Sequence, residues 1–79
     1  MDKADIIKRL NEVFQDVFDD EDIVVDEETT ADDIEDWDSI EHINLISAVE
    51  SEFGIRFTMG EVSGMKDVGE MISIIEERA

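Results

Sequence analysis

Three kinds of side chain near the middle of the chain could do chemistry together: a serine hydroxyl, an imidazole and carboxylates. Ser39 and His42 are three residues apart, so a helix would place them on one face, and Asp36 and Asp38 lie just before them. A hydrolase would also need an oxyanion hole. The chain has no Gly-x-Ser-x-Gly signature and only 79 residues in which to build a substrate pocket. We therefore expect no catalysis, and we expect His42 to be a surface or partner-facing residue.

The composition offers few residues that could bind a metal ion. The absence of cysteine removes disulfides, thiolate catalysis and cysteine-rich zinc sites, and there is a single histidine. An EF-hand needs ligands at loop positions 1, 3, 5 and 12, with glycine at position 6. A loop beginning at Asp36 would place Ile40, Glu41 and Ser47 at positions 5, 6 and 12, and no other register fits. We expect no specific metal site.

The first half of the chain consists of an amphipathic segment followed by an acidic one. Apolar residues at helical spacing predict a first helix over about residues 3–17, with Asp2 and Asp5 placed to act at its N-cap and N3 positions. Residues 19–38 have no sustained helical stripe and hold twelve acids and no base, so they predict a long acidic loop. We expect this loop to pack on the helices through its apolar residues, which are Ile23, Val24, Val25, Ile34 and Trp37.

Helix-start and helix-stop residues divide the second half of the chain into three more helices. We expect a second helix from Asp38 or Ser39 to about Phe53, a short third helix that breaks at Gly64, and a fourth that begins after Asp67. The fold is thus predicted as one all-α domain over residues 1–79, a four-helix bundle of three long helices and one short helix. The predicted capping pairs are Asp38–Glu41, Thr58–Glu61 and Asp67–Glu70, and Gly54 is the predicted C′ residue of the second helix.

The predicted second helix has two apolar stripes. One stripe, at positions i, i+4 and i+8, is assigned to the core, and the other is rotated away from it. Because a small bundle seldom buries a helix on all sides, we expect the second stripe to form an apolar docking patch ringed by acids. The core stripe is Leu45, Val49 and Phe53; the second stripe is Ile40, Ile43 and Ser47, and Ile46 fits either.

Residues 38–53, DSIEHINLISAVESEF, resemble the modification site of an acyl carrier protein. The triplet Asp38-Ser39-Ile40 corresponds to the Asp-Ser-Leu-type triplet at the start of that family's second helix, and the helix order, acidity and size of the chain fit as well. The resemblance implies that a phosphopantetheinyl transferase attaches 4′-phosphopantetheine to Ser39, with Asp38 part of the cofactor site. It also implies that the arm presents acyl or aminoacyl groups, held as thioesters, to partner enzymes.

The charge of the chain agrees with a role in docking to basic proteins. Twenty-four acids against six bases leave a net charge of −18, which repels nucleic acid and anionic lipid and disfavours self-association, so we expect a monomer. No stretch approaches the ~20 apolar residues of a membrane span, so we expect no insertion and a cytoplasmic location. The expected contacts with acyl-loading and acyl-processing enzymes that have basic docking patches are Asp36, Ile40, Glu41, Ile43, Asn44, Ser47 and Glu50.

The residues around Ser39 differ in part from those of the acyl carrier protein family that the chain resembles. Trp37 stands where many members have a small residue, and we expect it to contact the arm or to cover the core. The run from Trp37 to Leu45 is more similar to stand-alone carriers of specialised pathways than to a housekeeping fatty-acid carrier, and fatty-acid, polyketide and aminoacyl cargoes stay open.

An acidic helical interaction module without a prosthetic group would explain the charge equally well, but it would not explain the placement of the triplet or the second apolar stripe.

Overall fold

The computed structural model describes all 79 residues, and its regular elements are helices only. They are α1 (Lys3–Phe18), α2 (Ser39–Phe53), α3 (Met59–Gly64) and α4 (Val68–Arg78), with one 3₁₀ turn, Ala31–Asp33, between α1 and α2. α1 packs against both α2 and α4, and fifteen buried apolar side chains form a single core. The predicted all-α fold of three long helices and one short helix is confirmed. None of the helices combines the length and the apolarity that a membrane span requires.

The two apolar stripes of α2 separate in the structure as their spacing predicts. Leu45 and Val49 are fully buried and Phe53 is nearly so. Ile40 is 72% exposed and Ile43 is 67% exposed. Ile46, which fitted either stripe, is buried and belongs to the core. Burial of the core stripe therefore sets the rotation of α2 and leaves its second stripe facing solvent.

The first helix begins at Lys3, as predicted, and ends one residue later than predicted. Asp2 is the N-cap residue, as predicted, and its carbonyl accepts the first helical hydrogen bond, from Ile6. Its side chain accepts no capping hydrogen bond. The helix continues to Phe18, because this aromatic ring is buried in the core. It stops at Asp19, which adopts a left-handed conformation with φ of 50°.

The predicted capping pairs form to different extents. Thr58 and Glu61 make a full capping box, in which each side chain accepts from the backbone N–H of the other residue. Asp38 and Asp67 accept the expected N3 amide hydrogen bonds, from Glu41 and Glu70, but neither glutamate returns the bond to its cap residue. Asn44 donates to the Glu41 carboxylate instead, and the Glu70 carboxylate accepts from the backbone of Lys66.

Side chains of α1 hold the start of the acidic loop. The Asn11 amide both accepts from the Val25 N–H, at 2.7 Å, and donates to the Val25 carbonyl, at 3.2 Å. Gln15 donates to the Ile23 carbonyl at 2.9 Å. Ile23 and Val25 thus face the helices, while Val24 between them points outward and is 81% exposed, so its predicted anchoring role is wrong. An extended chain alternates its side chains between two faces, which explains why only two of the three consecutive residues pack.

The middle of the acidic loop joins the first turn of α4. The backbone N–H groups of Val68 and Gly69 donate to the carbonyls of Thr29 and Glu27, at 2.8 and 3.0 Å. A Cβ atom on Gly69 would lie 2.7 Å from the Glu27 carbonyl oxygen, closer than real Cβ contacts allow. Because that neighbour is backbone, it cannot rotate away as a side chain would. Glycine is therefore required at position 69 by the close approach of two chain segments.

We predict that Gly69→Ala lowers the free energy of unfolding by about 1–3 kcal/mol, because the new methyl group must push the loop off α4. The matched control is Gly64→Ala, where no atom lies within 4 Å of the added Cβ. The free energy of unfolding of that variant should equal that of wild type or exceed it by up to about 1 kcal/mol. Urea unfolding followed by circular dichroism measures both. Equal stabilities for the two variants would contradict the close-approach explanation.

Candidate functional site

Ser39 is the first residue of α2, and its side chain is exposed. Asp38 caps the helix by accepting the Glu41 N–H at 2.8 Å, which fixes where the helix begins. The backbone N–H groups of Ser39 and Ile40 have no acceptor within the chain. Free N–H groups and the positive end of the helix dipole favour an anion at this point. The structure thus presents a serine hydroxyl to solvent beside a feature that stabilises phosphate.

An open groove of about 620 Å³ lies next to Ser39, between the start of α2 and α3. Its lining is mostly apolar, and the volume falls in the range of small-molecule sites. α3 and the turn that follows it supply one wall, which sequence reasoning did not anticipate. Helical periodicity cannot show which face of a six-residue helix meets a neighbour. The groove residues from that side of the molecule include Phe57, Met59, Val62, Met65 and Lys66.

Trp37 and His42 meet at this groove. The indole N–H of Trp37 donates to Nδ1 of His42 at 3.0 Å, and Nε2 of His42 lies 3.1 Å from the Val62 carbonyl oxygen. Because an indole nitrogen can only donate, Nδ1 must accept and the imidazole proton must lie on Nε2, where it donates to Val62. His42 is half-buried with both ring nitrogens bonded inside the chain, which differs from the expected surface residue.

Trp37 also closes one side of the core. Its ring meets Phe14 edge-on, with ring centroids 5.3 Å apart, and lies 6.3 Å from Phe18. The half-buried indole thus covers the aromatic end of the core, which is one of its two expected roles. The hydrogen bond to His42 satisfies its N–H at the same time.

The short helix α3 has no fully buried residue; Val62 packs against the core from a half-buried position, and polar contacts add to its attachment. Arg78, near the end of α4, donates to both carboxylate oxygens of Glu61 at 2.6 and 2.5 Å, and also to the Arg56 carbonyl at 2.9 Å. These hydrogen bonds from Arg78, with a further one from the Thr58 backbone, lower the pKa of Glu61 from 4.5 to about 2. The same pair raises the pKa of Arg78.

The comparisons with known proteins identify the family of the chain. No protein-family model matches the chain, and no curated protein matches it. Among solved structures, the chain is similar to the solution NMR structure of a holo acyl carrier protein from Geobacter metallireducens, with 39% sequence identity and a TM-score of 0.85. The similarity covers 91% of this chain and 83% of the other. The chain belongs to the acyl carrier protein family. Membership makes it a carrier protein and not an enzyme.

This chain displays most of its predicted partner-facing residues at the surface. Asp36, Asp38, Ile40, Ile43, Asn44 and Ser47 are exposed, and Glu41 is half-exposed beside them. Glu50 stands apart from this set, because its half-buried carboxylate accepts from the Phe57 N–H at 2.8 Å and shapes the turn after α2. Glu50 therefore has a structural role that its sequence position did not reveal.

The structure has no group of three or more His, Asp or Glu side chains that could hold a metal ion. Aspartates in the acidic loop accept hydrogen bonds from nearby backbone N–H groups: Asp20 accepts from Asp22, and Asp26 accepts from Glu28. These local bonds fix turns in a segment that has no helical or sheet ladder.

We predict that Glu61→Gln destabilises the carrier at pH 7 and that the difference from wild type shrinks as pH falls from 4.5 towards 2. A carboxyl whose pKa is lowered on folding stabilises the fold above its unfolded pKa, and this contribution is lost as the folded carboxylate is protonated. The control is Glu27→Gln, which removes a more exposed pair with Lys3 at 3.4 Å and should have a smaller effect. Urea unfolding of the three proteins across this pH range is the measurement. If the loss of unfolding free energy caused by Glu61→Gln did not depend on pH, the lowered pKa of Glu61 in the folded state would be contradicted.

Proposed function

We propose that this carrier holds a 4′-phosphopantetheine arm on the Ser39 hydroxyl and presents acyl or aminoacyl groups to partner enzymes. The observation that carries the proposal is the exposed serine at the first position of α2, in a chain 39% identical to a holo acyl carrier protein. When bound, the arm supplies a thiol that holds its cargo as a thioester. The polypeptide itself has no cysteine, so it has no thiol of its own.

The residues around Ser39 fit a phosphodiester at that position. The free N–H groups of Ser39 and Ile40 and the dipole of α2 favour the phosphate by about 0.3–1 kcal/mol at an exposed site. The side chain of Asp38 is engaged in capping, which keeps the helix start and hence the serine in one place. The adjacent groove offers a largely apolar surface to whatever the arm carries.

The surface around the serine fits recognition by basic proteins, namely a phosphopantetheinyl transferase and acyl-loading or acyl-processing enzymes. Asp36, Asp38 and Glu41 lie close to Ser39 in sequence, and their carboxylates would attract basic patches over a distance of several ångströms. Ile40 and Ile43 are exposed apolar side chains that would make short-range contact after docking. Each exposed ion pair contributes only about 0.2–1 kcal/mol, which suits a carrier that must leave each partner quickly.

We predict that incubation with coenzyme A, Mg²⁺ and a broad-specificity transferase adds one phosphopantetheinyl group and one titratable thiol per chain. Ser39→Ala should abolish both gains. Ser63→Ala removes a different serine of the same groove and Ser47→Ala a different serine of α2, so both variants should be modified like wild type. Intact mass and thiol titration are the readouts. Modification that survives Ser39→Ala would contradict the proposed site, and no modification of any chain would favour an acidic interaction module without a prosthetic group.

We predict that Glu41→Gln slows modification by the transferase a few-fold at low ionic strength and that the difference from wild type disappears as salt is added. The loss of one carboxylate beside Ser39 weakens long-range attraction to a basic partner, and salt screens exposed charges beyond about 10 Å at 0.1 M. Glu76→Gln on α4 is the matched control for net charge and should have little effect. The measurement is the transferase kcat/KM as a function of ionic strength. A wild-type rate that is independent of salt would contradict electrostatic steering.

A further inference from the structure

Lys66 is the one residue with a permanent positive charge that borders the same groove as Ser39. It lies in the turn between α3 and α4, and its side chain is exposed. Ser39 reaches the groove from the first turn of α2. The fold therefore brings an ammonium group and the serine hydroxyl to one open space from two separate segments of the chain.

Lys66 makes no ion pair inside the chain, although acids outnumber bases by twenty-four to six. The bases that do form ion pairs are Lys3, Arg9 and Arg78. The acids closest to Lys66 in sequence are engaged by backbone groups: Asp67 accepts from the Glu70 N–H at 2.9 Å, and the Glu70 carboxylate accepts from the backbone N–H of Lys66 itself. The ammonium group of Lys66 is thus free to pair with an anion at the groove.

A phosphodiester on Ser39 would add a negative charge to a surface that is already acidic. Asp36, Asp38 and Glu41 are its neighbours in sequence, and like charges close together repel each other. The dipole of α2 opposes this repulsion only over its first turn. A cation at the edge of the groove would offset the repulsion further, and Lys66 is the only permanent cation that the groove has.

We propose that the Lys66 ammonium pairs with the phosphodiester on Ser39 and directs the first part of the arm towards the turn before α4. This rests on the proposed attachment of the arm to Ser39. The four-carbon stem of a lysine can lie along an apolar wall while its ammonium stays in water, which suits the rim of this groove. An arm that leaves the serine on this side does not cover Ile40, which lies outside the groove and stays exposed to a partner enzyme.

The first test measures how attachment of the arm changes the Tm of wild type, Lys66→Gln and Lys8→Gln. Each protein without the arm is its own reference, so any effect of the substitution on the fold alone cancels. At low ionic strength, the Tm of Lys66→Gln should fall by about 1–8 °C relative to wild type when the arm is attached, because one exposed ion pair is missing. Added salt should reduce this difference.

Lys8→Gln is the matched control, because it removes the same charge from an exposed position on α1, outside the groove. Its Tm should respond to the arm as that of wild type does. Lys66→Arg keeps the positive charge and should also respond like wild type.

The second test records the ³¹P NMR resonance of the one phosphate that the attached arm contains. Lys66→Gln should shift this resonance relative to wild type, and Lys8→Gln should leave it unchanged. This readout reports on the surroundings of the phosphate itself, so it separates a contact with the phosphate from a contact with a more distant part of the arm.

The outcomes distinguish this inference from the proposed function. If intact mass shows that no arm attaches to Ser39, the proposed function fails and the ion pair fails with it. If the arm attaches but Lys66→Gln matches wild type in both the Tm change and the ³¹P resonance, only the role of Lys66 is overturned. If Lys66→Gln slows the transferase without either difference, the lysine contacts the partner enzyme, and the ion pair is again overturned.

Discussion

The rotation of α2 about its own axis is the constraint on which the site depends. Burial of Leu45, Val49 and Phe53 against the rest of the core permits one orientation of this helix, because turning it would expose large apolar side chains to water. That orientation directs Ile40 and Ile43 to solvent. It also places the helix N-terminus at the edge of the bundle, beside α3. The core thus positions the serine without touching it.

The helices could be predicted from sequence because their signals are local. Apolar spacing of 3.6 residues and cap residues such as Thr58 and Asp67 act within one or two turns, so they can be read from a short segment. The path of the acidic loop could not be read in this way. It depends on Asn11 reaching Val25 and on Glu27 approaching Gly69, which are contacts between residues distant in sequence. Neither contact leaves a periodic pattern.

The candidate site likewise has one part that the sequence predicts and another that it does not. Ser39 at the start of α2 follows from the cap and the family triplet, and both lie within a few residues of it. The groove could not be anticipated, because one wall comes from α3 and the other from the start of α2 and the loop residues before it. His42 shows the difference most clearly: its sequence neighbours suggest a surface residue, whereas Trp37 and Val62, from two other segments, engage both ring nitrogens.

The central claim is that Ser39 carries the prosthetic group, and the most direct measurement is peptide mapping of the chain purified from its native cell. Cleavage after glutamate releases residues 36–41, Asp-Trp-Asp-Ser-Ile-Glu, in which Ser39 is the only hydroxyl-bearing residue. The account predicts that mass spectrometry finds phosphopantetheine on this peptide. The group on residues 42–50, which contain Ser47, or an unmodified 36–41 peptide throughout the sample, would contradict it.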